Sequence, residues 1–346
     1  MNRYYHIDSI RGIAALFVVW MHVSEVFRSF LTESSSDYWV YSIADTVDFG
    51  RIGVVAFFAV SGFVIPSSLK GERIIGLKVF LIKRFFRLYP VFWVSIPLAI
   101  FSTFYLWDKS VSLQQIIANI TMMPSLFGYV PIEGLYWTLV IELFFYACCS
   151  ALFYLGILRY SSFFFISVSS LLVFIILKDV SALFISIMFW GAIYRHYVDK
   201  QRFSYDWVIL IGLPIAVVIG LPLYGFYLYS KFGALDAVWI KFIASHSLGF
   251  LLFLVLAGFL KLTSSPFVFL GRISYSLYLF HPVIFYPFYW WAGRTSLEWV
   301  RDLPLIGWVV SMMILSVLFS YITYRLVEVP SIAYGNRKAS LLYSSP

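Results

Sequence analysis

Long apolar runs, broken by short polar stretches, fill the chain between residues 10 and 327. A helix rises 1.5 Å per residue, so a run of about 18 to 25 apolar residues can cross a hydrocarbon layer of ~30 Å. Such runs lie near residues 10–30, 50–69, 88–107, 135–157, 161–178, 180–198, 207–228, 238–260, 267–292 and 303–327. Within them apolar side chains occur on every side, as expected of helices whose solvent is lipid. The pattern predicts an all-α, polytopic integral membrane helix bundle of about ten transmembrane helices. The turn at Lys178-Asp179, between the fifth and sixth runs, is very tight. In the connection 108–134, Leu113, Ile116, Ile117 and Ile120 follow an i, i+3, i+4, i+7 pattern. That reads as a short helix lying on the outer surface.

The polar stretches set the orientation. With the N-terminus inside, the cytoplasmic segments hold 17 of the 25 basic residues: Arg3, Arg11, Lys70, Arg73, Lys78, Lys83, Arg84, Arg87, Arg159, Arg195, Lys200, Arg202, Lys261, Arg272, Arg325, Arg337 and Lys338. Cytoplasmic loops carry such an excess. Glu33, Asp37, Asp45, Asp48, Asp108, Glu133, Asp236, Glu298 and Asp302 fall on the other side. Both termini are therefore expected in the cytoplasm, and the short loops imply a single membrane-embedded domain, 1–346.

Composition agrees with this reading. Of 346 residues, 62% are hydrophobic and 12% charged, against about 25% charged in soluble domains. The net charge of +8 follows from the topology and does not imply nucleic acid. Cys148 and Cys149 are adjacent in an apolar run. Their side chains point about 100° apart on a helix, which argues against a disulfide between them. Buried apolar thiols are also poor nucleophiles. No metal-type spacing is present. The first run has no small-residue cleavage site after it and reads as a retained span. No internal repeat is visible, which counts against a transporter built from inverted repeats.

Ionisable residues inside the runs carry the candidate chemistry. The first run contains Asp8-Ser-Ile-Arg11 and, eleven residues after Arg11, His22. Eleven steps of 100° leave about 20° over three turns, so both lie on one helix face, about 16 Å apart along the axis. His22 then sits in the middle or outer half of the hydrocarbon, facing protein or a cavity. It is either a base for acyl transfer or a histidine bonding a neighbouring helix. Glu25, one turn later, either orients that ring or is a surface charge. Arg84 and Arg87 are i, i+3 neighbours at the cytoplasmic start of the third run. They suit phosphate groups through planar bidentate donors, or simply anchor the helix. Glu142 lies well inside the fourth run and needs a partner or a proton. His281 precedes the kinking Pro282. His246 reads as packing and Lys241 as a snorkelling lysine. Glu328 closes the last run, with a surface pair to Arg325 as the alternative role.

These residues together resemble the acyltransferase-3 family of integral-membrane O-acyltransferases, over nearly the whole chain. The resemblance rests on six segments in order: Arg11 with His22 after Asp8-Ser-Ile, Phe57-Phe58-Ala-Val-Ser61-Gly62-Phe63, the Arg84/Arg87 pair, Trp137 to Glu142 to Tyr146, Gly271-Arg272 through His281, and Glu328-x-Pro330. It implies a cytoplasmic acyl-CoA donor, usually acetyl-CoA, and an acceptor hydroxyl on an envelope glycan or lipid-linked sugar such as exopolysaccharide or O-antigen. It further implies the bacterial cytoplasmic (inner) membrane, no permanently bound cofactor, no metal, and the stand-alone type without a fused periplasmic hydrolase-like domain. Glycan-assembly machinery would be the natural partner. In this scheme Arg84 and Arg87 hold the CoA phosphates, and His22 deprotonates the acceptor or carries the acyl group. Arg11 holds donor charge, and Glu142 orients a polar partner. Asp8, His281 and Glu328 are further candidates. A transporter or flippase of a glycan or lipid is the rival from another class, since intramembrane His, Glu and Lys also mark substrate paths. A third reading, a non-catalytic export scaffold, leaves the Arg11–His22 alignment without a role.

Cysteines placed at 133 or 302 should label in intact cells, while one at 84 stays protected. The reverse pattern would overturn the orientation.

Overall fold

The computed structural model describes residues 4–30, 37–177, 179–200, 212 and 237–344. The elements are α1 (Tyr5–Phe27), α2 (Tyr38–Thr46), α3 (Phe49–Val64), α4 (Arg73–Ala99), α5 (Leu113–Ile120), α6 (Trp137–Tyr154), α7 (Tyr160–Leu177), α8 (Val180–Lys200), α9 (Ala237–Leu254), α10 (Ser265–Ala292), α11 (Glu298–Arg301), α12 (Leu305–Thr323) and α13 (Val329–Ser344). No strand occurs among the described residues. Eight helical runs among them are long and apolar enough to cross a membrane: Tyr5–Phe30, Phe49–Ser68, Arg73–Trp107, Gly134–Tyr154, Tyr160–Leu177, Lys241–Leu260, Ser265–Ala292 and Leu305–Leu342. The chain is an all-α polytopic membrane protein.

Three expectations change. The sixth expected span is helical as α8, but its last turns carry Arg195, His196 and Asp199, and it falls outside the eight. Its middle is deeply buried, with Ile187, Met188, Phe189, Trp190 and Ile193 sealed from solvent. Arg84 and Arg87 do not open the third helix, since α4 begins at Arg73. The helix of the last expected span continues past 327. A π-helical segment, Tyr324–Glu328, carries α12 straight into α13. The expected seventh span, 207–228, lies outside the described residues.

The chain's contacts gather into two compact units. The first comprises Met1–Val18, Thr46–Leu77 and Ile141–Gly271, and the second Val19–Asp45, Lys78–Val140 and Arg272–Pro346.

In the first unit α3 is the central rod, and small residues let other backbones touch it. A Cβ on Gly62 would lie 1.8 Å from the Met188 carbonyl oxygen of α8, and one on Gly191 would lie 2.3 Å from that of Ala59. Gly53 meets α1 at the Ala14 carbonyl and Gly249 brings α9 to Ile52. Lipid supplies no hydrophobic drive between helices, so such close dispersion contacts carry the association. The α7–α8 hairpin adds paired hydrogen bonds. The Ser167 hydroxyl donates to the Ser186 carbonyl at 2.9 Å and the Ser186 hydroxyl to that of Ser167 at 2.7 Å. Lys178 of the tight turn expected at 178–179 lies outside the described residues; at its other residue the Asp179 carboxylate accepts from the Ser181 amide at 2.8 Å.

In the second unit α10 is bonded along its length. The Tyr275 hydroxyl donates to the Leu88 carbonyl of α4 at 2.9 Å, and that of Tyr278 pairs with Thr138 at 2.9 Å. Phe86 packs against the α13 backbone at Gly335 and edge-on to Tyr334, with centroids 5.0 Å apart. Helix α5 forms where the pattern placed it. Ser112 caps it, and Leu113, Ile117 and Ile120 remain exposed, as suits a helix resting in the interface.

Gly62→Ala should force α3 from α8 and destabilise the protein by on the order of 1–3 kcal/mol or more. Gly134→Ala, whose Cβ would meet nothing within 4 Å, should be near neutral. Thermal unfolding of the two purified variants compares them.

Candidate active site

His22 and His281 meet in the second unit. Their rings stack at 5.1 Å with an 11° interplanar angle, and His22 Nδ1 lies 2.8 Å from His281 Nε2. His281 is fully buried and its Nδ1 lies 3.1 Å from the Leu277 carbonyl oxygen. A carbonyl only accepts, so His281 Nδ1 carries that proton. His281 Nε2 is then the acceptor, and His22 Nδ1 donates to it. The lone pair of His22 therefore resides on Nε2. This chain of bonds fixes tautomer and ring plane, as second partners of catalytic histidines do. The sequence places each histidine mid-helix, but nothing in it pairs residues 259 positions apart.

Glu328 does not form the surface pair with Arg325 that the sequence allowed. It is 1% exposed and accepts a hydrogen bond from the Ser276 hydroxyl at 2.7 Å. The π-helical turn that contains it swings the carboxylate inward to α10.

The other polar candidates of the first unit form separate contacts. Glu142 Oε1 accepts from the Tyr146 hydroxyl at 2.5 Å and from the Ser61 hydroxyl at 3.5 Å. Asp8 and Arg11 lie half-buried on α1, where Gly12 and Gly271 bring α1 against α10. The Asp8 carbonyl is so close that a Cβ on Gly271 would sit 1.9 Å from it. His246 is packed between Phe242 and Phe184, its Nδ1 2.7 Å from the Phe242 carbonyl oxygen.

Arg84 and Arg87 stay half-buried on α4, the Arg84 guanidinium 5.4 Å from the Phe80 ring centroid. Because α13 packs on α4 through Phe86, Tyr334 and Gly335, Arg337 and Lys338 belong to the next turn of a helix beside the pair. Lys338 rests over the Tyr334 ring at 5.5 Å. Cys149 is buried and Cys148 half-buried, and neither is in a disulfide. No group of three or more His, Cys, Asp or Glu among the described residues is placed to hold a metal.

Glu133 is more enclosed than its place in an outer connection suggests. Read as an outer-loop acid, it is 8% exposed, so a thiol at 133 would be shielded and position 302, which is exposed, is the one that tests orientation. Its Oε1 accepts from the Gly134 amide at 3.1 Å, while Oε2 has no hydrogen-bond partner among the described residues. Burial pushes its carboxyl up from 4.5 to about 7, with the Gly134 bond pulling the other way.

A family model for an acyltransferase domain matches residues 4–325. No curated protein and no solved structure matches the chain.

The raised Glu133 carboxyl has a measurable cost. The unfolded chain releases this proton near 4.5 and the folded chain near 7, so stability falls as pH rises between those values and stays lower above them. The deficit is on the order of 3 kcal/mol. Glu133→Gln keeps an acceptor for the Gly134 amide. It should raise the thermal midpoint at about pH 8, with a gain that shrinks toward about pH 4.

Proposed function

Because the chain belongs to the acyltransferase-3 family, we propose that it transfers an acyl group, usually acetyl, from acyl-CoA to a hydroxyl of an envelope glycan or lipid-linked sugar. The hydrogen-bonded pair of His22 and His281 carries this reading. His22 Nε2 takes the proton of the acceptor hydroxyl as its oxygen attacks the thioester carbonyl. The C–O bond forms, the C–S bond breaks, and the imidazolium returns the proton to the departing CoA sulfur. His281 Nε2 accepts from His22 Nδ1–H throughout, which stabilises the cation that forms between the two proton transfers. In this scheme His22 is the catalytic residue and His281 a positioning residue.

Arg84 and Arg87 lie in the same unit as the histidine pair and supply donors for the diphosphate and the 3′-phosphate of CoA. The basic pair on α13 adds to the same field. Arg11 and Glu142, in the other unit, are assigned donor charge and orientation of a polar partner. The bonds from Ser61 and Tyr146 to Glu142 suit that second role. The bacterial cytoplasmic membrane is the expected location, with the donor on the inner side.

Purified enzyme assayed for acetyl-CoA turnover tests the proposal. His22→Ala should lower the rate by about 10²- to 10⁴-fold, and His22→Gln should fail equally because it cannot take a proton. His281→Ala should lower kcat more than it raises KM, and His281→Gln, which can still accept from Nδ1–H, should recover part of the loss. Arg84→Gln with Arg87→Gln should instead raise KM for acetyl-CoA. A folded His22→Gln variant with near-normal turnover would return His22 to packing.

A further inference from the structure

One helical turn beyond His22 the second unit opens into a cavity of about 410 Å³. This is near the small end of the range for ligand sites, ~300–1,000 Å³. Glu25, Val26 and Ser29 line it from the α1 side. Counted from His22 these are i+3, i+4 and i+7, so the cavity lies along the face of α1 that carries the base. A group seated there is about 5 Å along the axis from the His22 level.

The walls are of two kinds. Trp107, Tyr286 and Tyr289 supply flat aromatic surface, with Trp107 and Tyr289 stacked at 5.6 Å and 25° and the Tyr289 hydroxyl 3.1 Å from that of Ser29. Arg28 and Lys109 supply positive charge. Arg294 adds more, its guanidinium lying 5.8 Å from the Trp107 ring centroid and 4.5 Å from that of Trp290. The acids nearby are Glu25, which lines the cavity, Glu133, buried and close enough to act on Tyr286, and Asp108, exposed next to Trp107. Asp45 acts on Tyr41, the phenol to which Arg28 donates a hydrogen bond. None of the three cations takes part in the ion pairs Arg51–Asp48 and Arg195–Asp199.

That gathering runs against the rest of the chain. The expected outer side is where acids collect, and arginine and lysine are depleted there by the positive-inside rule. Three bases around one aromatic cavity on that side need a reason other than topology. One guanidinium nitrogen of Arg294 donates to the Trp290 carbonyl at 3.4 Å, and the planar group offers further N–H donors of the kind that take a carboxylate or phosphate. Aromatic faces, electronegative at the centre, suit the C–H faces of a pyranose ring. Glu25 and Ser29 can take its hydroxyls.

We propose that this cavity is the acceptor subsite and that its occupant is an acidic saccharide, its carboxylate or phosphate held by Arg294 and Lys109 and its ring against Trp107 and Tyr286. This rests on the acyl-transfer reading, with His22 as base. It narrows the acceptor from glycans in general to those bearing a negative charge close to the acylated ring.

The test uses the full-length protein in nanodiscs of phosphatidylcholine. The probes are diazirine-tagged alkyl glycosides of glucuronic acid, of glucose 6-phosphate and of glucose, with adducts mapped by peptide mass spectrometry. The anionic probes should label segments 25–29, 103–109 and 286–294 saturably, about tenfold more tightly than the neutral glucoside, as one charge-assisted contact provides. Lys109→Gln with Arg294→Gln should bring that ratio near one, and Arg294→Lys should retain part of it. Equal labelling by charged and neutral probes, or labelling confined to other segments, overturns the inference. So does the absence of saturable labelling. A repeat in discs containing phosphatidylglycerol separates the sources of the anion. If that lipid displaces the probes as well as free glucuronate does, the cavity binds headgroups and the saccharide assignment falls. Labelling as expected, in protein that shows no acetyl-CoA-dependent acylation, would leave the subsite standing and remove the acyl-transfer reading instead.

Discussion

Hydrocarbon offers a peptide group nothing to bond to, so every amide and carbonyl inside it must find its partner within the protein. That constraint produces the all-helical chain. It also governs side chains, because a hydroxyl or imidazole carried into the bundle faces the same absence of water. The second unit answers with partners on neighbouring helices. Tyr275 donates to Leu88, Thr138 pairs with Tyr278, and Ser276 donates to Glu328. Each bond is a penalty avoided as much as a stabilisation gained. The histidine pair belongs to the same set, with His22 Nδ1 bonded to His281 Nε2 and His281 Nδ1 to the Leu277 carbonyl.

The spans were legible because their signal is local. Hydropathy and basic clusters read directly onto α1, α3, α7, α9 and α10, and the four-residue pattern of Leu113 to Ile120 onto α5. Helix α8 exposes the limit of that reading. Its apolar residues answer to α3, through Gly62 and Gly191, as much as to lipid. A helix shielded by protein can afford Arg195 and Asp199 in its final turns. Burial inside a bundle and immersion in lipid leave the same apolar signature.

The site was half legible. Intramembrane His22, Glu142, His281 and Glu328 stand out because ionisable groups are costly there. Which of them touch was not, since contacts between distant segments depend on helix rotation and crossing. The burial of Glu133 was hidden for a different reason. Its position between a surface helix and the next span looked aqueous, yet it is buried, close enough to Tyr136 and Tyr286 to act on both. The gathering of Arg28, Lys109 and Arg294 is likewise a product of folding, each residue being an unremarked exception to the charge bias when taken alone.

The π-helical segment between α12 and α13 has a consequence for how the C-terminal helix is oriented. A π turn inserts one residue into a helix, advancing everything after it by about 100°. Helices α12 and α13 thus form one rod with a phase shift at Tyr324–Glu328. Helical-wheel counting from the apolar stripe of α12 would assign the wrong face to α13. The same inserted residue that buries Glu328 also decides that Gly335 meets Phe86. The basic end of the chain owes its bearing to a defect in the helix upstream, and a single deletion in that turn would re-aim it without altering any residue that it presents.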